Sequence, residues 1–454
     1  MNLSSGTRTI PVPLFFFGHL PFEGLLLEST MVNKSVDAEF QLASVEQIYK
    51  AKMRLKGIAE GTPLVKNYAL SELYQCEVLI KREDLQVVRS YKIRGAYNKM
   101  ASLSKEQLDN GIVCASAGNH AQGVALACRL LAVHGIVFMP SATPQQKVKK
   151  VKLFGKEFVE VVLTGDTFDD AYTEAQKATA KGKKAFIHPF NDRKVIEGQG
   201  TVGLEILEDC NEQIDLVFAA VGGGGLISGL GSYFKQLSPK TKIIGVEPSG
   251  APAMTQSLAQ GKVVELEHID SFVDGAAVKK VGQLTFNIAQ QVVNQMLLVP
   301  EGKVCSTILQ LYNEEGLVVE PAGALSIAAL EQMKEEIKGK RVVCVIGGGN
   351  NDITRTEEIR ERALLYEGLK HYFVIRFPQR TGALRDFLNK VLGPTDDITY
   401  FEYTKKHNRD SGPALVGIQV QAKEDYHELM KRMEAHQINF QTLNDSSMLF
   451  DLLI

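Results

Sequence analysis

Six short runs of the sequence are apolar along their whole length, and this pattern constrains the fold more than any other feature. The runs are EVLIKRE (77–83), GIVFMP (135–140), EFVEVVL (157–163), DLVFAAV (215–221), KIIGVEP (242–248) and RVVCVIGGG (341–349). Strands that are covered on both faces, as in parallel sheets, have this composition. Stretches with helical spacing lie between them, such as TPQQKVKKVKLFG (143–155). The pattern therefore predicts an α/β fold with right-handed crossovers.

The composition changes after RTEEIRERALLYEGLKHY, which is charged and helical in its spacing. The runs that follow are HYFVIRFP, GALRDFLNKVL, ITYFEYTKK, PALVGIQVQ, DYHELMKRMEAH and a last strand-like stretch. Their order, βαββαβ, is the ferredoxin-like pattern. We expect one domain over residues 41–365 and a second over 366–454. Residues 1–40 are expected to form a disordered extension, because their apolar run is too short and too interrupted to span a bilayer.

The overall charge excludes several classes of partner. Charged residues make up 23% of the chain and the formal net charge is −2, so neither nucleic acid nor an anionic membrane is expected to bind. The six cysteines form no C-x-x-C pair, which argues against a zinc site or a disulfide framework, and we expect no metal. Scattered thiols of this kind are typical of a reducing, cytoplasmic location.

A run of four glycines, Gly222 to Gly225, lies between an apolar run and a helical stretch in AAVGGGGLISG. Glycines there allow backbone N–H groups to surround a phosphate at a helix N-terminus. The alternatives are a flexible turn and a dinucleotide site. For the dinucleotide site the third glycine of the motif is missing, since Ile227 or Ser228 occupies its place, but Glu247 follows where a ribose-binding acid is expected. No G-K-[ST] follows, so a P-loop is excluded.

Three other stretches carry reactive or hydrogen-bonding side chains. Lys92 precedes a helical run, where the helix dipole disfavours a cation. In ASAGNHAQG, the side chains of Ser116, Asn119 and His120 are expected at a helix N-terminus, as a carboxylate site or as an ordinary cap. VIGGGNND (345–352) is a second glycine cluster. We expect all of these at the carboxyl edge of one sheet, where a phosphate site and a reactive lysine together indicate pyridoxal phosphate.

Five motifs, in order along the chain, establish a resemblance to a family. KREDLQ…SYKIRGAY, SAGNHAQGVA, GGGGL, EPAGAL and GGGN resemble those of the pyridoxal-phosphate-dependent threonine dehydratases of fold type II. The resemblance covers about residues 45–362, and the final segment is similar to the single ACT-like regulatory domain of the short biosynthetic form. It implies a lyase with a two-subdomain, parallel-sheet catalytic domain. That enzyme would convert L-threonine to 2-oxobutanoate and ammonia, the first step of isoleucine biosynthesis.

The resemblance also implies roles for individual residues. Lys92 would hold the cofactor aldehyde and act as the base, and Asn119 would bond the phenolic oxygen of the ring. The cofactor phosphate would be held by Gly222, Gly223, Gly224, Gly225 and Leu226. The substrate carboxylate would be held by Ser116, Ala117, Gly118, Asn119 and His120, with the Ser116 hydroxyl on the opposite side of the cofactor from Lys92. Gly347 stands where the family has a serine bonded to the pyridine nitrogen.

For regulation, the resemblance implies isoleucine as an allosteric inhibitor and a homotetramer or dimer. The residues expected to meet this ligand are Phe377, Pro378, Gln379, Arg380, Gly382 and Leu384. Serine racemase lacks the last domain and has an acidic residue where this chain has Ala253. A catabolic serine/threonine dehydratase, a non-catalytic amino-acid sensor and a Rossmann-type dehydrogenase remain as alternatives.

Overall fold

A computed structural model describes residues 41–403 and 410–444, so the expected extension at residues 1–40 lies outside the described part. The helices described there are α1 Val45–Leu55, α2 Tyr68–Tyr74, α3 Lys92–Met100, α4 Lys105–Asp109, α5 Asn119–Leu131, α6 Gln145–Gly155, α7 Phe168–Gly182, α8 Arg193–Asp209, α9 Gly225–Leu237, α10 Ala253–Gln260, α11 Gln283–Val292, α12 Glu301–Glu315, α13 Pro321–Ala328, α14 Lys334–Ile337, α15 Thr356–Tyr366, α16 Ala383–Lys390 and α17 Lys423–Ala435. Of these helices, none has the length and apolar composition needed to cross a bilayer.

The strands belong to three sheets rather than one. They are β1 Leu64–Lys66, β2 Glu77–Arg82, β3 Ile112–Ala115, β4 Gly135–Met139, β5 Val159–Leu163, β6 Ala185–Phe186, β7 Leu216–Ala220, β8 Lys242–Pro248, β9 Gln295–Val299, β10 Arg341–Ile346, β11 Lys370–Pro378, β12 Asp397–Tyr403, β13 Ser411–Gln419 and β14 Asn439–Thr442. The α/β class is confirmed, with two sheets before residue 366 and one after it.

The larger sheet has the strand order β1-β2-β10-β7-β8-β9. Its five longer strands are parallel, and the short β1 pairs with β2 in the antiparallel sense. The central strand β10 is almost completely buried, because helices cover both of its faces. Four of the six apolar runs identified in the sequence form β2, β7, β8 and β10 of this sheet.

The smaller sheet has the order β5-β4-β3-β6, with all strands parallel. The expectation of one sheet with a single carboxyl edge is therefore wrong. The loop before Asn119 follows β3 of this sheet, whereas both glycine clusters follow strands of the larger one. The apolar pattern identifies a strand but not the sheet it joins. The strand β5 also departs from the pattern, since Glu160 and Leu163 are exposed at this sheet's edge.

The C-terminal domain has the predicted βαββαβ order, with an antiparallel sheet in the order β12-β13-β11-β14. Phe373 and Ile375 of β11 face α16 and α17 and pack with Phe387, Leu429 and neighbouring apolar side chains into one core. This strand order is the one that a ferredoxin-like fold requires, so the prediction for this domain is confirmed.

The helix α15 joins the two domains and contacts both. Its Glu361 accepts hydrogen bonds from Lys370 Nζ at 2.5 Å and from Tyr372 Oη at 2.7 Å, both on the first strand of the C-terminal domain. The guanidinium groups of Arg362, on this helix, and of Arg355, which directly precedes it, lie 4.4 and 4.7 Å from the ring centroid of Phe272. Phe272 belongs to a loop of the first domain, residues 270–276.

Candidate active site

Lys92 is the first residue of α3, and its side chain is half-buried. Its Nζ donates to the carbonyl oxygen of Pro189 at 3.3 Å and lies 5.2 Å from the ring centroid of Tyr91. The backbone N–H of Tyr91 donates to the carbonyl oxygen of Gly347 at 3.2 Å. The lysine and the second glycine cluster, which the sequence predicted to meet, are therefore neighbours.

The helix α3 is held by Arg94, whose guanidinium group is completely buried. It donates to both carboxylate oxygens of Glu83 at 2.8 Å, and to those of Glu205 at 2.5 and 2.8 Å. Burial alone would raise the pKa of Glu205, but Arg94 and Lys81 hold it below its ordinary value. Bidentate pairs between arginine and carboxylate add geometric specificity as well as energy, so two of them hold α3 in one position. The KRED motif thus serves to anchor the helix that begins with Lys92.

The four glycines form the turn between β7 and α9. Gly224 has φ +89° and precedes the helix, a conformation that favours glycine. A Cβ on Gly223 would lie 2.2 Å from the ring of Phe190, so no larger residue fits. Thr285 Oγ1 donates to the carbonyl oxygen of Gly223 at 2.6 Å, which leaves the N–H side of the turn facing away from this contact. The first N–H groups of α9 have no partner within the helix and can bind an anion.

The third element is the turn between β3 and α5. Ser116 Oγ accepts the N–H of Gly118 at 3.2 Å, and both residues and Ala117 are half-buried. A Cβ on Gly118 would have no heavy atom within 4 Å, so this face of the turn is open. At Gly123, α5 approaches α3 so closely that a Cβ would lie 3.2 Å from the backbone of Lys92. The helix that follows the turn is therefore packed directly against the helix that begins with Lys92.

The imidazole of His120 faces the core rather than the open face of this turn. Its Nε2 bonds the carbonyl oxygen of Ile187 at 2.9 Å, and burial lowers the pKa of His120 to about 3. The ring is thus neutral at pH 7. Any contact of His120 with a substrate carboxylate has to use its backbone N–H, which lies in the first turn of α5.

Sequence reasoning missed Phe190 and His188. Two backbone N–H groups, those of Phe190 and Asn191, donate to His188 Nδ1 at 3.1 and 2.8 Å. The two rings lie edge to face with 4.6 Å between centroids. This contact holds Phe190 against the glycine turn. Nothing in the spacing of HPFND reveals it, because the partner glycines lie over thirty residues away.

Glu320 was also missed, although its motif EPAGAL was recognised. Its carboxyl group accepts from Asn119 Nδ2 at 2.7 and 2.9 Å and from the N–H of Asn350 at 3.2 Å. Asn350 Nδ2 in turn donates to Asn119 Oδ1 at 2.7 Å. Burial raises the pKa of Glu320 to about 7, against the lowering effect of the Asn119 hydrogen bond. The turn before α5 and the second glycine cluster are therefore joined through the buried carboxyl group of Glu320.

Glu247, the acid considered for a ribose, has a different function. Its carboxyl oxygens accept from the N–H groups of Met254 and Thr255 at 2.7 and 2.8 Å, and from Thr255 Oγ1 at 2.7 Å. It therefore caps the N-terminus of α10 from within the core. The arrangement provides no acid for a dinucleotide ribose at this position, which removes the main support for the Rossmann interpretation.

The predicted regulatory residues lie at the turn between β11 and α16. Gly382 has φ +83° and precedes the helix, and Leu384 is exposed on its first turn. Phe377, however, is buried edge to face against Phe387, with 5.3 Å between centroids, so these two rings stabilise the domain core. Gln379 Nε2 is buried and has no hydrogen-bond partner among the described residues.

The remaining two residues of this turn, Pro378 and Arg380, are exposed. Arg380 Nη2 pairs with Asp386 Oδ2 at 2.6 Å across the turn.

Comparisons with known proteins agree with this geometry. Residues 55–348 match the family described as pyridoxal-phosphate dependent enzyme, and residues 361–453 match the C-terminal regulatory domain of threonine dehydratase. The biosynthetic L-threonine dehydratase IlvA of Halalkalibacterium halodurans is 59% identical over 90% of this chain and 99% of its own length. That of Bacillus subtilis is 57% identical over 92% of this chain and 99% of its own.

Solved structures give the same result. The processed threonine deaminase isoform 2 of Solanum lycopersicum is 41% identical, with a TM-score of 0.66 over 71% of this chain and 96% of its own. Because the family match covers more than half of the chain and the curated relatives are matched almost end to end, the chain belongs to the biosynthetic threonine dehydratases, a family of pyridoxal-phosphate-dependent enzymes.

Proposed function

We propose that this chain converts L-threonine to 2-oxobutanoate and ammonia with pyridoxal phosphate held by Lys92. The observation that carries the proposal is the position of Lys92. The lysine begins a helix that is packed against α5 at Gly123 and hydrogen-bonded, through Tyr91, to the second glycine cluster. The amine also donates to the carbonyl oxygen of Pro189, and the next residue, Phe190, packs against the glycine turn at Gly223. An amine in this position, near a turn that can bind a phosphate, suits an amino-acid lyase.

The residues present fit the cofactor. The glycine turn has N–H groups at the start of α9 for the phosphate, and Asn119 has an amide for the ring oxygen. Gly347 lies beside the ring of Tyr91, where a Cβ would find its nearest atoms at 3.3 and 3.4 Å. When bound, pyridoxal phosphate supplies the electron sink that stabilises negative charge at the α-carbon.

The protein's own groups would perform the remaining steps. Lys92 Nζ accepts the α-proton, and N–H groups at the start of α5 bind the substrate carboxylate and orient the Cα–H bond. Loss of the β-hydroxyl as water leaves an enamine. Addition of water to the enamine releases ammonia and gives 2-oxobutanoate, so the net reaction consumes no oxidant and no second substrate.

The direct test combines spectroscopy with turnover. The purified protein should show the long-wavelength absorption of enzyme-bound pyridoxal phosphate, which borohydride removes, and peptide mapping should place the reduced cofactor on Lys92. L-threonine should then yield 2-oxobutanoate. Reduced cofactor on another lysine, or absence of the absorption band, would contradict the proposal.

For substrate preference, we propose a higher kcat/KM for L-threonine than for L-serine. The support is the regulatory domain, which belongs to the biosynthetic branch. One methyl group gives only about 1–3 kcal/mol of discrimination, so serine should still react. A higher kcat/KM for serine would favour the catabolic alternative.

For regulation, we propose isoleucine as the inhibitor, bound at the turn before α16. The support is the combination of helix N–H groups behind Gly382 with the buried amide nitrogen of Gln379, which has no hydrogen-bond partner within residues 41–403 and 410–444. A coupling free energy of about 1–3 kcal/mol is usual between such a site and an active site. A homotetramer or dimer and a cytoplasmic location stay predictions, to be checked by sedimentation and by fractionation of cells.

A further inference from the structure

The amide group of Asn119 has one defined orientation, and a chain of hydrogen bonds determines it. Lys150 Nζ can only donate, and it donates to Asn350 Oδ1 at 3.0 Å. Asn350 therefore presents Nδ2, which donates to Val88 O at 2.8 Å and to Asn119 Oδ1 at 2.7 Å. Consequently Asn119 presents its nitrogen to the carboxyl group of Glu320.

We propose that Glu320 is a positioning residue that acts through Asn119. By accepting one N–H of the Asn119 amide, Glu320 leaves the second N–H to donate toward the ring oxygen of the cofactor. This inference rests on the proposed role of Asn119 as the ligand of that oxygen. It assigns a function to an acid that would otherwise be an unexplained buried charge.

The surroundings of Glu320 support a positioning role rather than a surface ion pair. Only 6% of the residue is exposed, and Gly348 lies so close that a Cβ on it would be 2.4 Å from Glu320 Oε1. No side chain larger than hydrogen could separate the acid from the second glycine cluster. Glu320 N also donates to the carbonyl oxygen of Gly348 at 3.3 Å, so backbone and side chain are both held.

The charged groups around Glu320 come from three elements. Asp274 lies on the loop 270–276 and tends to raise the pKa of Glu320, while Lys147 on α6 tends to lower it. Lys147 and Asp274 also pair with each other at 2.5 Å. Another lysine of α6, Lys150, reaches the acid through Asn350. The third element is the segment after β2, where Asp84 lies near Gly349 but is paired with Arg82.

These charges largely offset one another, and burial decides the net effect, which raises the pKa of Glu320 to about 7. Below that pH the acid carries its own O–H donor among two N–H donors, which weakens its hold on Asn119. Above it, both oxygens accept. The influence of Glu320 on the cofactor should therefore grow as the pH rises through about 7.

The test is the affinity for pyridoxal phosphate and the absorption maximum of the bound cofactor, measured from pH 6 to 8.5. The variants are Glu320→Gln, which keeps the shape of the side chain, and Glu336→Gln, an exposed glutamate that serves as the matched control. We expect Glu320→Gln to bind the cofactor about tenfold more weakly at pH 8, the scale of one hydrogen bond to a charged group. At pH 6 the affinities of the variant and of wild type for the cofactor should be more nearly equal. The absorption maximum of the cofactor bound to the variant should differ from that in wild type.

A double-mutant cycle separates a positioning role from a merely structural one. If Glu320 acts through Asn119, then Glu320→Gln has little further effect in an Asn119→Ala background. Equal weakening in both backgrounds would overturn the proposal, as would unchanged affinity and absorption in the single variant. If Glu320→Gln does not fold, Asn350→Ala tests the same orientation from the other side and should weaken the cofactor similarly.

The outcomes also separate this inference from the proposed function. A wild-type protein that binds no pyridoxal phosphate overturns both. A wild-type protein that binds it on Lys92 and turns over threonine, with a Glu320→Gln variant that matches it in affinity, absorption and pH profile, overturns this inference alone.

Discussion

The backbone N–H of Tyr91 donates to the carbonyl oxygen of Gly347 at 3.2 Å, which places the residue before Lys92 against the second glycine cluster. The neighbouring pair Ser90 and Gly348 forms a β-bridge. The lysine segment is therefore held to the end of β10 by main-chain hydrogen bonds, which do not depend on the side chain at position 347.

Gly347→Ser should fold and bind the cofactor. A Cβ there would lie 3.3 and 3.4 Å from two ring carbons of Tyr91, so a shift of a few tenths of an ångström accommodates it. The new hydroxyl is expected to shift the absorption maximum of the cofactor and to change kcat by less than about tenfold, which corresponds to one hydrogen bond. Gly61→Ser, where a Cβ meets nothing within 4 Å, is the control. If spectrum and kcat both stay constant, position 347 does not border the ring.

Lys92→Ala should abolish threonine turnover and leave the protein folded. The amine makes one hydrogen bond, to Pro189 O at 3.3 Å, so its removal should cost no more than about 1 kcal/mol of unfolding free energy. Turnover and thermal unfolding are measured together. Lys99→Ala, seven residues along the same helix, is the control. Wild-type turnover by Lys92→Ala would rule out the assigned role.

Arg94→Lys should destabilise the catalytic domain by about 3–5 kcal/mol. The ammonium group of lysine cannot make the bidentate hydrogen bonds that the planar guanidinium group makes to two buried carboxylates. Glu83 and Glu205 would each lose bonds of 2.5 to 2.8 Å. Since α3 begins with Lys92, we also expect kcat to fall more than KM rises. Denaturant unfolding and steady-state kinetics measure both effects. Arg360→Lys, exposed on α15, should change neither; a stable Arg94→Lys variant would show that the anchor is dispensable.

Glu247→Gln should change the pH dependence of stability. Burial raises the pKa of Glu247 from its ordinary 4.5 to about 7 in the folded protein. Glu247 therefore contributes to the free energy of unfolding in full below pH 4.5, and this contribution is lost as the pH rises through 7. The unfolding free energy of wild type relative to the variant should fall over that range, by up to about 1.4 kcal/mol per pH unit. Glu267→Gln, at an exposed glutamate, is the control variant. A difference between wild type and Glu247→Gln that does not change with pH would contradict this.

Gln379→Ala should raise the isoleucine concentration that half-inhibits the enzyme by about tenfold, the effect of one buried hydrogen bond. Activity without isoleucine should not change, because Gln379 lies in the C-terminal domain. The control is Gln421→Ala, an exposed glutamine of the same domain. Inhibition that is identical in wild type and Gln379→Ala would place the effector elsewhere.

The sequence predicted those features that depend on local pattern. The strands β2, β7, β8 and β10, the glycine turn before α9 and the βαββαβ order all follow from spacing within a few residues. The β1 and β6 strands have only three and two residues, too few to show a period.

The missed features depend on contacts between distant segments. Glu320 meets Asn119 across 201 positions, and Arg94 meets Glu205 across 111. His120 lies in a recognised motif, but its side chain points into the core and bonds the carbonyl oxygen of Ile187, 67 positions along the chain. Side-chain direction of this kind follows from tertiary packing and not from a motif.

The position of Glu361 affects how experiments on isolated domains must be interpreted. A protein that ends near Glu367 lacks Lys370 and Tyr372, both of which donate to Glu361 in the intact chain. It would leave the Glu361 carboxylate without these two donors, on the helix whose Arg362 packs against Phe272. Truncation therefore perturbs the first domain itself. Changes in the activity of the truncated enzyme cannot be assigned to lost effector binding alone. Point variants in the full-length chain are the proper reference for the regulated state.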